Sequence, residues 1–373
     1  MKIPNGNEII QVFESWSPKK FACMENDPIG LAIGTLNKAV SKVLVTLDVN
    51  EKVAEEAIRK GCQLIIAHHP PIFRKLANLR TDTPAGRLYE KLIKNDIAVY
   101  AAHTNLDVAV GGVNDLLADA LELENNQILE ETYSENLMKM AVFVPDGHAE
   151  SVRVALAKAG AGHIGDYDSC SYSSNGEGRF RALDGANPYI GEIGEMEVTE
   201  EVKIEVVFPT SMKNKILKAM LNAHPYEEPA YDFYTMAVET NVQGLGRIGT
   251  LKQPMNLEQF AKHVKTQLDV PMVRVVGNMQ TDIHKVAVIG GDGNTYIHSA
   301  KRAGADVFVT GDIKFHMAQD AQNLNLNIVD PGHHVEKVMI KGVAEKMTNL
   351  CKDKKLDVEF IQSEIDTEPF QFI

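Results

Sequence analysis

Short apolar runs, too continuous for half-exposed strands, recur at both ends of the chain, each joined to a stretch of helical periodicity. VLVTLDVN (43–50) leads through EKVAEEAIRKG into CQLIIAHHPPIF (62–73). VAVIGGDG (286–293) leads through NTYIHSAKRAG into ADVFVTGDIKF (305–315). Each segment predicts a strand, a helix and a second strand. Val43 corresponds to Val286 and Gly61 to Gly304 at one constant offset, without gaps. Both glycines fall just past a helical stretch, where a left-handed C-cap is cheap only for glycine. Uninterrupted apolar strands belong to sheets covered by helices on both faces. Any two β-α-β units share some of this pattern, but the common offset and common glycine favour a duplicated α/β half.

The middle of the chain has a different character. LMKMAVFVPD (137–146) alternates like a strand, and GHAESVRVALAKAG (147–160) reads as an amphipathic helix stopped at Gly160. DYDSCSYSS and GRFRAL follow, separated by Asn175-Gly176, a hairpin signal. KIEVVFP, the helical SMKNKILKAMLNA and the strand-like AYDFYTMA complete a β-α-β-β-β-α-β order. That order predicts an α+β sandwich with both helices on one face of an antiparallel sheet. The expected division is 1–130 and 241–373 as two halves of one discontinuous α/β domain, with 131–240 inserted.

Composition narrows the function classes. A net charge of -13 argues against nucleic acid, which demands clustered Lys and Arg. The four cysteines, Cys23, Cys62, Cys170 and Cys351, form no C-x-x-C pair, so neither a zinc finger nor a disulfide framework is expected. No run approaches the ~18 apolar residues of a membrane span, and the first residues show no apolar leader. The expected location is the cytoplasm.

Three strand-end clusters carry candidate chemistry. His68-His69-Pro70-Pro71 follows the strand CQLII, at the kind of strand end where open α/β sheets bind ligands. Paired imidazoles on a stiff turn suit a metal, although single histidines at such places are usually ordinary surface or core residues. VYAAHTNLDV (99–108) offers Asp107 as a carboxylate able to bridge two metals, with His103, Thr104 and Asn105 around it. Asn105-Leu106-Asp107 is equally well explained as a turn. IVDPGHHVEKV (328–338) places His333 and Glu336 three apart on one helical face, with His334 turned away. Glu336 could instead serve as a helix-start charge. TGDIKFHMAQD adds Asp312 and His316 at the repeat-equivalent of the His68-His69 strand end. Mixed His and carboxylate donors without cysteine suit Zn, with Mn or Fe as alternatives. Five ligands around two ions leave positions open, the pattern of metal-assisted hydrolysis. GLGRIG (244–249) matches the dinucleotide fingerprint in letters but opens no helix, so it is discounted.

AHHPPIF, AAHTNLDV, GLGRIG, TGDIKFH and DPGHH, in this order, resemble the NGG-interacting-factor-three-like family, whose members are called GTP cyclohydrolase 1 type 2 homologs. The middle segment, with AHPYEEPAYDFY (223–234), is similar to the insertion of longer bacterial members, of CutA/PII-type ferredoxin-like shape. The resemblance implies a cytoplasmic homohexameric toroid with two divalent ions per chain, held by His68, His69, Asp107, His333 and Glu336. Shorter members place the glutamate one residue later, where this chain has Lys337; lysine cannot bridge cations, so Glu336 takes the role. The implied activity is hydrolysis of a small, nucleotide-like substrate of the GTP cyclohydrolase type, with His316 or His103 moving protons. A metal or cofactor chaperone, or a regulatory binding protein, would use the same ligands without turnover.

Overall fold

The computed structural model describes residues 2–373. Its contacts divide the chain into two compact units, one ending at Tyr133 and resuming with Gln243–Ile373, the other formed by Ser134–Val242. The strands in chain order are β1 (Gly30–Ile33), β2 (Lys42–Thr46), β3 (Leu64–Ala67), β4 (Ala98–Ala101) and β5 (Leu123–Pro145). Then follow β6 (Tyr172–Arg181), β7 (Met196–Pro209), β8 (Tyr231–Asn256) and β9 (Arg274–Val276). The last are β10 (Asp282–Asp292), β11 (Val307–Gly311), β12 (Asn327–Asp330) and β13 (Glu359–Gln362).

The first unit is a mixed α/β structure with two sheets. One has the order β1-β4-β3-β2-β13, parallel except at β1. The other contains β8-β10-β11-β12-β9, in which β10, β11 and β12 are parallel. The two sheets repeat one local register: Val43 pairs with Leu64 and Val286 with Val307. Gly61, at φ 70°, ends the helix Glu51–Lys60, and Gly304, at φ 80°, follows the shorter helix Ile297–Arg302. Alternate residues of each parallel strand feed different layers. Val43, Val45, Leu64, Ile66, Val286, Val288, Val307 and Val309 share one core with the helices Val113–Ala120 and Val338–Asp353. Leu44, Ile65 and Val99 pack on the other face of their sheet, and Ala287, Phe308 and Ile328 on the other face of theirs. Burial on both faces is why these strands read as unbroken apolar runs.

The parallel strand ends are where the polar clusters emerge. β3 stops at Ala67, β4 at Ala101 and β12 at Asp330, and the ladder leaves each chain free to turn there. GLGRIG lies within β8, not at a strand-to-helix turn. A Cβ at Gly244 would stand 2.1 Å from the Glu130 carbonyl oxygen. Buried Arg247 pairs with Asp115, Nη2 to Oδ2 at 2.8 Å, and donates to the carbonyls of Gly244 and Gly246. Close strand approach and one partly buried ion pair account for the motif.

The second unit runs β-α-β-β-α-β, with strand order β6-β7-β5-β8. Met138, Met140, Val142 and Val144 of β5 and Val202, Ile204, Val206 and Phe208 of β7 form one buried face. The helices Ala149–Ala159 and Lys213–Ala223 cover that face through Val152, Leu156, Ile216 and Met220. The expected order has one strand too many. Asn175 and Gly176 do not turn; they sit inside β6, opposite Val202 and Glu201. Neither has the positive φ that the hairpin turn requires. No helix among the described residues is long and apolar enough to cross a membrane.

Candidate metal centre

Four histidines and two carboxylates converge beyond the parallel strand ends of the first unit. His68 and His69 leave β3 directly, and β2 accepts their course: the His68 N–H donates to the Thr46 carbonyl and the His69 N–H to that of Leu47. His103 and Asp107 follow β4, Asp107 on the short helix Thr104–Val108. His333 and Glu336 lie on a 3-10 helix, His333–Lys337, that precedes Val338–Asp353. Three residues per turn set positions i and i+3 in line, so both side chains point inward, 3.2 Å apart. His334 turns away, its Nε2 3.3 Å from Thr367 Oγ1, and Lys337 donates to the Asp269 carbonyl.

Each histidine is oriented by an acceptor at Nδ1. The acceptors are the Ala102 carbonyl for His68 (2.9 Å), Asp48 for His69 (2.7 Å), Asp27 for His103 (2.9 Å) and Asp312 for His333 (2.7 Å). A carbonyl can only accept, so His68 Nδ1 carries a proton and its Nε2 is the atom that faces the centre. Such outer partners fix ring orientation and raise ligand basicity in metal sites. Asp27 and Asp48 are the functional residues that sequence reasoning missed. Asp48 ends the polar edge of the β2 run, a usable signal; Asp27 has no patterned neighbours.

The inward-facing atoms form two groups that share one carboxylate. His68, Asp107 and Glu336 make one, and His69, His333 and Glu336 the other; His68, His69 and His103 form a third cluster of nitrogens. His68 Nε2 stands 3.5 Å from Asp107 Oδ1 and 3.7 Å from Glu336 Oε2. Glu336 Oε2 is 3.0 Å from His69 Nε2 and 3.2 Å from His333 Nε2. Donors of one tetrahedral ion, each about 2.1 Å from it, stand about 3.4 Å apart. His68 Nε2 and Asp107 Oδ1 are buried with no hydrogen-bond partner, a costly arrangement that a shared cation removes. The residues therefore fit a divalent ion. Asp107 belongs to one of the two groups, and Glu336 is the carboxylate common to both. Glycine makes room for it: at Gly291, φ 63°, a Cβ would lie 2.7 Å from Glu336 Oε1.

Electrostatics agree. Burial acts first on Asp107 and pushes its carboxyl up to about 6, against the pull of His68. Glu336 is held well below the ordinary range, because the histidines around it outweigh its burial. For His69, burial is outweighed by hydrogen bonds to Asp48 and Glu336, which push the ring up to about 10. His333 rises to about 9, chiefly through Glu336. His316 does not reach the cluster. It is exposed on the helix Phe315–Asn323, with Nδ1 3.2 Å from Gln319 of its own helix. His103, in contrast, lines the centre itself, its ring 5.3 Å from that of His68.

A family model described as Duf34/NIF3 (NGG1p interacting factor 3) matches residues 4–369. The chain belongs to the Duf34/NIF3 family. It is 58% identical over 372 residues to a Bacillus subtilis protein named GTP cyclohydrolase 1 type 2 homolog, with both chains fully covered. Among solved structures, a Bacillus cereus protein related to NIF3 superposes with a TM-score of 0.94 at 54% identity, again over 100% of both chains. A Staphylococcus aureus protein gives 0.83 at 33% identity over the same coverage. In this chain a cavity of about 680 Å³ opens beside the polar clusters at the parallel strand ends, lined also by Phe73, Leu245 and Tyr296.

Proposed function

We propose that the chain holds two divalent ions and hydrolyses a small, nucleotide-like substrate of the GTP cyclohydrolase type. The observation that carries this reading is the pair of three-ligand groups meeting at Glu336, one containing two buried, unpaired donor atoms that face each other. Asp107 and His68 would hold one ion and His69 and His333 the other, with Glu336 common to both. Zinc suits the all-nitrogen-and-oxygen donor set best, and Mn or Fe are the alternatives. Two such ions supply Lewis acidity toward a carbonyl, imine or phosphoryl group and toward water. The chain's own side chains orient the ligands, through Asp27, Asp48 and Asp312, and Phe73 and Tyr296 border the cavity. His103, paired with Asp27 and bordering the cavity, is the residue placed to hold or pass a proton. The cavity of about 680 Å³ suits a single small molecule.

The wider assignment follows the family likeness: a cytoplasmic homohexameric ring, with the second unit a ferredoxin-like insertion of the CutA/PII kind. Its β-α-β-β-α-β order supports that last point. A metal-carrier reading draws on a specific observation, the exposed position of His316 away from the ligands. The deciding experiment is a screen of metal-loaded protein against GTP, other nucleotides and phosphoesters. Turnover that disappears in Asp107→Asn supports the hydrolase; metal binding without turnover of any of them supports the carrier.

A further inference from the structure

A second concentration of chemistry lies wholly inside the unit Ser134–Val242. The HPYEEP run (224–229) follows the helix Lys213–Ala223 and forms one wall of a cavity of about 540 Å³, a size for a small organic ligand. The Tyr226 ring meets Phe180 edge-on at 5.8 Å and stands 6.3 Å from Tyr189. The Tyr189 hydroxyl is hydrogen-bonded to His148 Nε2 at 2.9 Å, which fixes an otherwise exposed ring at the mouth. The Asn187 N–H donates to Glu227 at 2.9 Å and ties the loop after β6 to the HPYEEP run.

Charge decides what such a box would hold. Arg179, Arg181, Glu201, Glu227 and Glu228 line it. Arg179 is already paired with Glu177, and both arginines, Glu227 and Glu228 are exposed. Glu201 is the charged lining residue that is not exposed. Gly178 leaves space for it: a Cβ there would stand 2.5 Å from the Glu201 carboxylate. The buried Tyr226 hydroxyl lies against Glu201 and Thr199 without a hydrogen bond of ordinary geometry. Burial raises the Glu201 carboxyl above its usual range, a cost that a nearby cation offsets. Aromatic faces around a partly desolvated carboxylate attract cations, through the ring quadrupoles and the charge together.

We propose that this cavity binds a small organic cation with a planar, nitrogen-rich head of the amidinium class, held by Glu201 and the rings of Phe180, Tyr189 and Tyr226. An anion would meet Glu201, the lining charge withdrawn from solvent, and a neutral analogue would forgo the ion pair. The test titrates full-length, metal-loaded protein with 4-fluorobenzamidine, followed by fluorine NMR, with neutral 4-fluorobenzamide as the comparison. Saturable binding of the cation is expected, at least about tenfold tighter than the amide. Glu201→Gln should weaken it at least about tenfold, and Tyr189→Ala, at an exposed ring whose loss the fold tolerates, should weaken it as well. Metal content should stay unchanged in both variants. Absence of saturable binding, equal binding of the amide, or full affinity in both variants would each overturn the proposal.

Discussion

The two ligand groups that meet at Glu336 differ in how far the protein alone satisfies them. In the inner group, His68 is fully buried and Asp107 nearly so, and their facing atoms have no hydrogen bonds. In the outer group, His69 and His333 are partly exposed, and each ring is held between Glu336 and an aspartate, Asp48 or Asp312. A protonated imidazole is at home in the outer group, flanked by two carboxylates. In the inner group burial is outweighed by the carboxylates, which raise the His68 ring too, but its Nε2 and Asp107 Oδ1 stand 3.5 Å apart without a hydrogen bond, a gap that an ion can fill. On the dinuclear reading the inner position is the one the protein leaves unsatisfied, and the outer one holds protonated rings that an ion must displace.

The largest effect expected is that of Glu336→Gln. The carboxylate is common to both groups, so metal content should fall to well below one ion per chain; an unchanged content would show that neither group is a site. Asp107→Asn is nearly isosteric and touches the inner group alone. It should remove about one ion and leave the outer one, whereas loss of both would return the bridging role to Asp107. Asp48→Asn leaves every ligand in place but releases the His69 ring. Loss of such outer partners weakens metal binding about 10–100-fold, here at the outer position only, as a competition titration against a chelator would resolve.

The pH dependence sharpens the same contrast. His69 and His333 rise from an ordinary value of 6.5 to about 10 and about 9. A raised folded-state value means that the protonated rings stabilise the metal-free fold. That contribution is complete below pH 6.5 and is lost as pH rises through 9 and 10. Metal affinity at the outer position should move the opposite way, climbing over this window because each ion displaces protons. Urea unfolding of chelator-treated protein and metal titrations at several pH values check both signs; outer-site affinity independent of pH would contradict the account.

The legibility of these groups in the sequence follows from where their members stand. His68, His69, Asp107, His333 and Glu336 each sit within a few residues of an apolar strand run, so pattern and chemistry coincide on the page. The 3-10 turn at His333–Lys337 was invisible, but it aligns positions i and i+3 as a helix face does, and so the pairing survived. Asp27 acts on His103 from a loop 76 residues earlier, a long-range partnership that no local periodicity encodes. The repeat offset carried Asp312 to the equivalent of His69, where it orients His333 rather than joining the ligands. His316 lies beyond the β11 strand end, on an exposed helix, outside the cluster in this chain. In the second unit, Asn175-Gly176 carried the letters of a hairpin, but ladder partners in β7 override that local preference.

The most direct test of the central claim is native mass spectrometry of chelator-treated protein reloaded with Zn. The account predicts two ions per chain, filled in two resolved steps, with the outer-site affinity rising as pH climbs from 6.5 towards 10. A single ion per chain, or an outer-site affinity that does not change with pH, would contradict it.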